Sequence, residues 1–379
     1  MLGKFARTLG EFGARIAVAG RASPAASVPP PGGPTRHPIF SGGRLSLGRL
    51  AAQGRYWGLL RRLRPALVVV HAPELLPLTL VWHWLRPGRP FIYDIRENYA
   101  LNVASQGIYR GLVRRGLAAG LRWVEGLAAR RAAALTLAEA SYAAELPFLR
   151  HLPASRVVVL ENKYQPAPGE VLPTRPRALP AATEPLRLLY SGTISALNGL
   201  PEALALAEAL HRHRPGGAVL TVVGFCQQPA LLEKLLALVA QRPPWLRLVG
   251  GAQAVPHPAI VAEIGRAHLG LALYRPHAST ARCLPTKLFE YLAHGLPVLV
   301  PANPSWQQLV QRHDAGLVFD GPLAPLAPPV AGLLGALASH GAFYRPGLPT
   351  EVLWATESKK LLHLLKSLPL SPTFATLSA

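Results

Sequence analysis

The chain has 379 residues, half of them apolar, with 40 Lys and Arg against 19 Asp and Glu and a formal net charge of +21. That length and apolar content exclude a disordered chain and suffice for two ordinary α/β domains, while the charge favours anionic partners: nucleic acid, acidic lipid headgroups or phosphorylated substrates. Only seven of the forty cations are Lys, and Arg, Ala, Pro and Leu are abundant together, so a GC-rich genome accounts for part of the excess.

Residues 2–12 carry apolar side chains at helical spacing, 14–19 (ARIAVA) read as a short strand, and 22–43 are loop-like, rich in Pro, Gly and Ser. Glu11 and Arg15 interrupt the first apolar stretch, so it does not read as a signal peptide, and no run of about eighteen apolar residues spans a bilayer. A basic helix over 45–64 precedes the apolar run 66–70, and 90–93 forms a second such run after another helix. Buried parallel strands alternating with helices are the expected architecture. A long helical region over 107–134 and strands at 134–138 and 157–160 follow. The Pro-rich stretch 166–185 is expected to be an interdomain linker.

The rhythm then restarts: strand 186–190, helix 200–211, strand 218–223, helix 230–240, strand 246–249, helix 257–267, strand 269–273, a helix containing Phe289, and strand 297–300. Two halves of repeated βα units predict two doubly wound sheets, in domains at 1–165 and 186–350 with a final helix and tail over 351–379. Cys226 and Cys283 are the only cysteines and lack metal-ligand spacing, which argues against a disulfide scaffold or a zinc site and fits a reducing cytoplasm.

The segment 284–300 (LPTKLFEYLAHGLPVLV) carries the clearest chemistry. Pro285 closes a loop, Thr286 caps or starts a helix, and the free amides there attract phosphate. Lys287 adds a positive charge and Glu290 shares its helix face at i, i+3 spacing. Together they suit a nucleoside diphosphate and its ribose hydroxyls, although an isolated KxxE is more often a plain surface pair. Residues 190–200 (YSGTISALNGL) follow a strand and precede a helix, so the amides of Gly192 and Thr193 approach a diphosphate, or else the segment is an ordinary turn. Gly224 and Phe225 end another strand at the carboxyl edge, where Phe225 borders a base or packs under a loop.

In the first half, 71–77 (HAPELLP) and 93–99 (YDIRENY) lie at the ends of apolar strands. Asp94, Arg96 and Glu97 there either position an acceptor and stabilise leaving-group charge or form a buried structural ion pair; Glu97 is the preferred catalytic candidate. Lys163, in 161–164 (ENKY), is a further basic residue near that end or a solvated lysine.

As a whole string, 284–300 resembles the donor-site signature of the family 4-like glycosyltransferases. Trp306 with Gln307 and Gln308, the segment 316–320 (GLVFD) and both first-half motifs resemble the family as well. The resemblance implies the GT-B fold: α/β, two Rossmann-like domains facing a cleft, with the last helix crossing back to the first domain. It implies that Glu290 holds the ribose hydroxyls and that 255–260 touches the nucleobase. Many members place a second Glu eight residues earlier to hold the donor sugar; here that position is Arg282. Asn198 stands near the usual place of a basic residue, so Lys287 or Arg282 supplies the charge. Ala72 replaces an Asp of the first motif and Arg96 a His of the second. Family members also open with a strand and loop before the helix that begins here at Met1, so a late start codon or a truncation is expected.

The activity implied is sugar transfer from a nucleoside diphosphate sugar to a hydroxyl acceptor, usually with retention and without a metal or other cofactor, in surface polysaccharide or glycolipid assembly. Arg110, Arg114, Arg115 and Arg122, set among Leu, Val and Trp123, read as an interfacial helix on an anionic membrane or as a solvated face. Residues 353–368 form another amphipathic helix, with Trp354 expected to anchor the crossing. Three other readings stand beside transfer: a nucleotide-sugar epimerase, a catalytically degenerate GT-B protein, and a basic nucleic-acid binder, for which no recognisable module is present.

Overall fold

Short runs of β-branched and Leu residues alternate with amphipathic helices along the whole chain, and the computed structural model turns that alternation into parallel sheets. It describes residues 2–21, 33–40, 48–86, 88–105, 111–277, 281–319 and 330–368. The chain divides into two units: Met1–Asn162 with Trp354–Ala379, and Lys163–Leu353.

In the first unit, α1 (Leu2–Glu11) leads to β1 (Ala17–Arg21) and β2 (Thr35–Phe40), then α2 (Gly48–Leu63), β3 (Val68–Val70), α3 (Leu76–Leu85), β4 (Phe91–Ile95), α4 (Tyr99–Ser105), α5 (Gly111–Arg131), β5 (Ala134–Leu137), α6 (Tyr142–Glu145) and β6 (Val157–Val159). Strands β3, β4, β5 and β6 form a parallel sheet in that order, and β1 pairs with β2 in a separate parallel ribbon. Side-chain alternation explains the two faces of β4. Phe91, Tyr93 and Ile95 enter one core with Leu76, Leu80, Leu135 and Ala128. Ile92 points the other way, into a core with Phe5, Ala134, Leu160 and the closing helix Trp354–Ser367. Trp354 is buried there and its indole N–H donates to the Thr8 hydroxyl at 2.9 Å.

One expectation is corrected here: 35–40, read as loop, is strand β2. Its Ile39 is buried against Tyr56, Leu59, Leu60 and Trp82, and that burial outweighs the turn character of the surrounding composition. Pro38 is tolerated because the ribbon has only two strands and needs no donor from it on a second side.

The second unit comprises β7 (Leu186–Ile194), α7 (Leu200–His213), β8 (Ala218–Cys226), α8 (Pro229–Ala240), β9 (Leu246–Gly251), α9 (His257–Arg266), β10 (Leu269–Leu271), α10 (Thr286–Ala293), β11 (Val298–Pro301), α11 (Pro304–Arg312), β12 (Gly316–Phe319) and α12 (Val330–Ser339); the closing helix is therefore α13. All six strands are parallel, in the order β12-β11-β10-β7-β8-β9. The order reverses between β7 and β10, which is the switch point at which a doubly wound sheet opens a crevice for ligands.

Strands β7 and β8 run further than the sequence predicts. Gly192 and Thr193 lie within β7, paired with Gly224 and Phe225, so the loop starts at Ser195. Glycine makes this extension possible: a Cβ on Gly224 would stand 1.7 Å from the Gly192 carbonyl oxygen. The stretch read as a linker, 166–185, packs on the second unit instead. Leu172 and Leu179 join its core, and the Arg177 amide donates to the Gly295 carbonyl at 2.8 Å.

Candidate active site

The residues expected to hold the donor gather at the switch point of the second unit. Helix α10 begins at Thr286 after Pro285, and no side chain caps it, so its first amides stay available to an anion. Lys287, in that first turn, is only 7% exposed. Its ammonium lies 4.5 Å from the Tyr190 ring centroid and 5.1 Å from that of Tyr274, and it has no hydrogen-bond partner among the described residues. Tyr190 comes from β7 and Tyr274 follows β10, so the cation sits between the two strands that flank the switch point. Burial lowers its pKa to about 7, with Glu290 opposing the shift in part. A plain surface Lys–Glu pair is thereby excluded.

Glu290 is 13% exposed and pairs with His257 instead, its Oε1 standing 2.6 Å from His257 Nε2. His257 opens α9, within the segment expected to touch the base. Behind it, the Tyr164 ring packs edge-on against His294 at 5.0 Å, and the Tyr164 hydroxyl donates to Glu170 at 2.5 Å. His294 Nδ1 donates to the Glu290 carbonyl at 2.8 Å, which ties this cluster to α10.

The other residues expected on the donor side take distinct places. Gly192 holds φ +96°, with open space where a Cβ would be, so its backbone is accessible there. Tyr291 of α10 brings its hydroxyl to the amide of Ser191 at 3.1 Å, which fixes this end of β7 to the helix. Asn198 does not project as a surrogate cation; its amide donates to the Thr193 carbonyl at 2.9 Å and closes the loop. From beyond β10 the Arg275 amide donates to the Leu197 carbonyl of the same loop at 2.9 Å, and its side chain pairs with Glu202 at the start of α7 at 2.6 Å. Phe225 is 37% exposed at the end of β8 and is not packed under a loop. Arg282 and Thr286 are exposed, and Pro285 is buried.

The first unit gathers a second cluster at the carboxyl ends of its strands. Asp94, fully buried in β4, accepts from the Thr136 hydroxyl of β5 at 2.6 Å and meets His71 Nδ1, just past β3, also at 2.6 Å. Arg96 reaches the same carboxylate at 3.3 Å. Burial pushes the Asp94 carboxyl up, but His71, Arg96 and Thr136 outweigh it and hold the group below its ordinary value. Glu97 stands apart: it is exposed, and its carboxylate accepts from Asn102 at 2.8 Å.

Of the basic helix residues, Arg110 lies outside the described residues. Arg122 turns inward, donating to Asn98 at 2.7 Å and pairing with the buried Glu125 at 3.5 Å. Arg114 is half-buried and Arg115 exposed, on a helix that also exposes Leu112 (83%), Val113 (62%) and Trp123 (70%).

Residues 2–163 match the family model described as a glycosyl transferase 4-like domain. Over that segment the chain is similar to glycosyl transferase 4-like domains. Its motifs at 71–77 and 93–99 fall inside the matched segment, and the donor-side string at 284–300 lies beyond it. No curated protein matches the chain significantly.

Among solved structures, a sucrose-phosphate synthase from Thermosynechococcus elongatus superposes with a TM-score of 0.65 at 15% identity, covering 96% of this chain and 91% of that one. The Anabaena protein HepE, in complex with UDP and glucose, gives 0.62 at 14% identity, covering 96% of both. A putative UDP-N-acetylglucosamine 2-epimerase from Listeria monocytogenes gives 0.54 at 12% identity, covering 88% and 82%. At these identities the likeness establishes the fold, which is GT-B, and not the reaction.

Proposed function

We propose that this protein transfers a glycosyl group from a nucleoside diphosphate sugar to a hydroxyl acceptor. The observation that carries the reading is Lys287: a cation buried with no hydrogen-bond partner among the described residues, in the uncapped first turn of α10 at the switch point, is suited to an anion. The HepE structure, whose fold is similar, holds UDP and glucose.

In this reading the α10 amides and Lys287 hold the diphosphate, and the backbone at Gly192 and Thr193 approaches it. Glu290 receives the ribose hydroxyls and Phe225 borders the base. Arg282, exposed just before α10, supplies additional charge. Asp94, Arg96 and Glu97 serve the acceptor. No metal or other cofactor is required, since fixed cations and amides already neutralise the departing diphosphate.

Helix α5, with bare Leu112, Val113 and Trp123 beside Arg114 and Arg115, supports an acceptor carried on an anionic membrane surface. Among the described residues no helix is long and apolar enough to cross a membrane. We therefore place the protein peripherally, on a cytoplasmic membrane face, in assembly of a surface polysaccharide or glycolipid.

The test is a panel of UDP-, GDP-, ADP- and dTDP-sugars against purified protein and Glu290→Ala, scoring binding and release of nucleoside diphosphate. Binding and release by the wild type, with binding weakened in the variant, is expected. If no nucleotide sugar binds the wild type, the reading fails. The epimerase fold neighbour gives a second reading, under which a new nucleotide-sugar isomer accumulates without release of the diphosphate.

A further inference from the structure

The amino edge of the six-stranded sheet, away from the carboxyl edge at which the switch point opens, holds a second concentration of cations. Arg187 is the second residue of β7 and His268 stands just before β10, and the His268 amide donates to the Arg187 carbonyl at 2.8 Å. In return the Arg187 amide donates to His268 Nδ1 at 3.2 Å. A main-chain N–H inside a sheet needs that acceptor, so Nδ1 keeps its lone pair and a neutral ring carries its hydrogen on Nε2. Burial, followed by Arg187, Arg177 and Arg214, lowers the His268 pKa to about 4, so the ring is neutral near pH 7.

Nε2 then faces the Arg187 guanidinium, with Nη2 at 2.5 Å. Both groups are donors, and two donors at that distance repel. Neither is free to leave. Arg187 Nε donates to the Arg266 carbonyl at 2.6 Å, while the His268 ring is only 7% exposed and would break its bond to the Arg187 amide by turning. An oxyanion that accepts a hydrogen from each group resolves the conflict and answers the charge as well.

The surroundings form a recess within the second unit. Both residues line a cavity of about 440 Å³ together with Leu179, Pro180, Glu184 and Pro185. Arg214, 8% exposed, fixes that wall from behind by donating to the carbonyls of Pro180, Ala181, Glu184 and Gly217. Those bonds occupy its donors and leave its charge, so Arg214 acts with Arg177 and Arg187 to make the cavity attractive to anions.

We propose that this recess binds a phosphate group through the Arg187 guanidinium and His268 Nε2–H, as a ligand site separate from the switch point. It stands on these contacts and does not rest on the glycosyltransferase reading. The phosphate is free, or is carried on a small polyhydroxy molecule whose hydroxyls donate to Glu184, a carboxylate that only accepts.

The test is calorimetric titration of the full chain with inorganic phosphate, glucose 6-phosphate and glucose. Lys287 offers phosphate a rival cation, so each titration is repeated in Lys287→Met. His268→Asn places an amide oxygen where Nδ1 stood, keeping the acceptor for the Arg187 amide and removing the Nε2 donor. Arg187→Met removes the guanidinium and keeps the apolar stem. Nitrogen-15 NMR of His268, assigned by its loss in His268→Asn, reads the tautomer and its response to phosphate.

Both phosphates should bind, glucose should not, and binding should persist in Lys287→Met. In that background His268→Asn and Arg187→Met should each weaken it by at least about ten-fold. The wild-type ring should be the Nε2–H form, with a resonance that shifts as phosphate saturates. Tighter binding of glucose 6-phosphate than of inorganic phosphate identifies an ester as the ligand, and the reverse identifies the free ion. Absence of phosphate binding in Lys287→Met, affinity changed by less than about two-fold in either recess variant, or an Nδ1–H ring in the wild type would each overturn the proposal. If a recess variant does not fold, the His268 tautomer and its shift with phosphate in Lys287→Met decide.

Discussion

The Lys287 ammonium and the Tyr190 ring face each other at 4.5 Å with no hydrogen-bond acceptor beside the cation among the described residues. Two tyrosine rings attract a cation, but they do not replace the water it has lost. The fold therefore carries a cost at this position that the proposed diphosphate would remove. Lys287→Met, which keeps the length of the side chain, should raise stability by about 1–3 kcal/mol. It should also weaken nucleoside diphosphate binding by at least about ten-fold. Thermal denaturation and calorimetry on the same samples check both directions, and a fall in stability would contradict the burial argument.

The same lysine sets a pH dependence. Its pKa is lowered from 10.5 to about 7, so between those values the unfolded chain holds a proton that the folded chain has released. This group's contribution to stability therefore rises with pH across that window and is least favourable below it. Ligand affinity runs the opposite way. Above about pH 7 a diphosphate must draw a proton back onto Lys287, so binding weakens as pH rises and is accompanied by proton uptake. Calorimetry at pH 8 in buffers of different ionisation enthalpy should register that uptake in the wild type and lose it in Lys287→Met.

Glu290 presents one carboxylate oxygen to His257, and under the proposed function the other would accept from a ribose hydroxyl. Wild-type protein should prefer UDP to its 2′-deoxy analogue, and Glu290→Ala should bind UDP about ten- to a hundred-fold more weakly with the preference lost. Equal losses for both nucleotides would place Glu290 in the fold and not at the ribose.

Gly192 and Gly224 face each other across β7 and β8 but should respond differently to alanine. In Gly224→Ala the new methyl would stand 1.7 Å from a backbone oxygen, which requires the strands to separate, so little soluble protein is expected. Gly192→Ala meets nothing within 4 Å and carries only the strain of φ +96°, about 1–3 kcal/mol. It should fold and bind nucleotide less well. Solubility and calorimetry distinguish the two.

If α5 seats the protein on a membrane, replacing Leu112 and Val113 by Glu should reduce co-sedimentation with vesicles containing anionic lipid, and raising salt should weaken the wild-type interaction. Vesicle binding unchanged by both would exclude α5 as the contact.

The βα alternation and the Rossmann strands of the second half are legible because buried parallel strands read as apolar runs and helix starts carry local signals. The extension of β7 to Ile194 was not, because glycine reads as a turn in isolation and only the facing Gly224 shows that it serves close packing. Strand β2 was hidden by its Pro-rich surroundings, since the partners of Ile39 lie in α2 and α3. The position of Lys287 was visible, but its burial was not: Tyr190 and Tyr274 approach it through the strand order of the sheet. His71 lay inside a motif already singled out at a strand end. What made it a pair with Asp94 was the register between β3 and β4, which no single sequence displays.

Helix α13 completes the core around Phe5, Ile92, Ala134 and Leu160, although 191 residues of the second unit separate Asn162 from Trp354. On a ribosome the first unit therefore emerges early yet stays unfinished until the whole second unit has been made. An expression fragment cut at residue 163, where the family match stops, would leave the α13 side of β4 bare. Faithful dissection of this protein calls for a circular permutant that joins α13 to the first unit, not for a truncation.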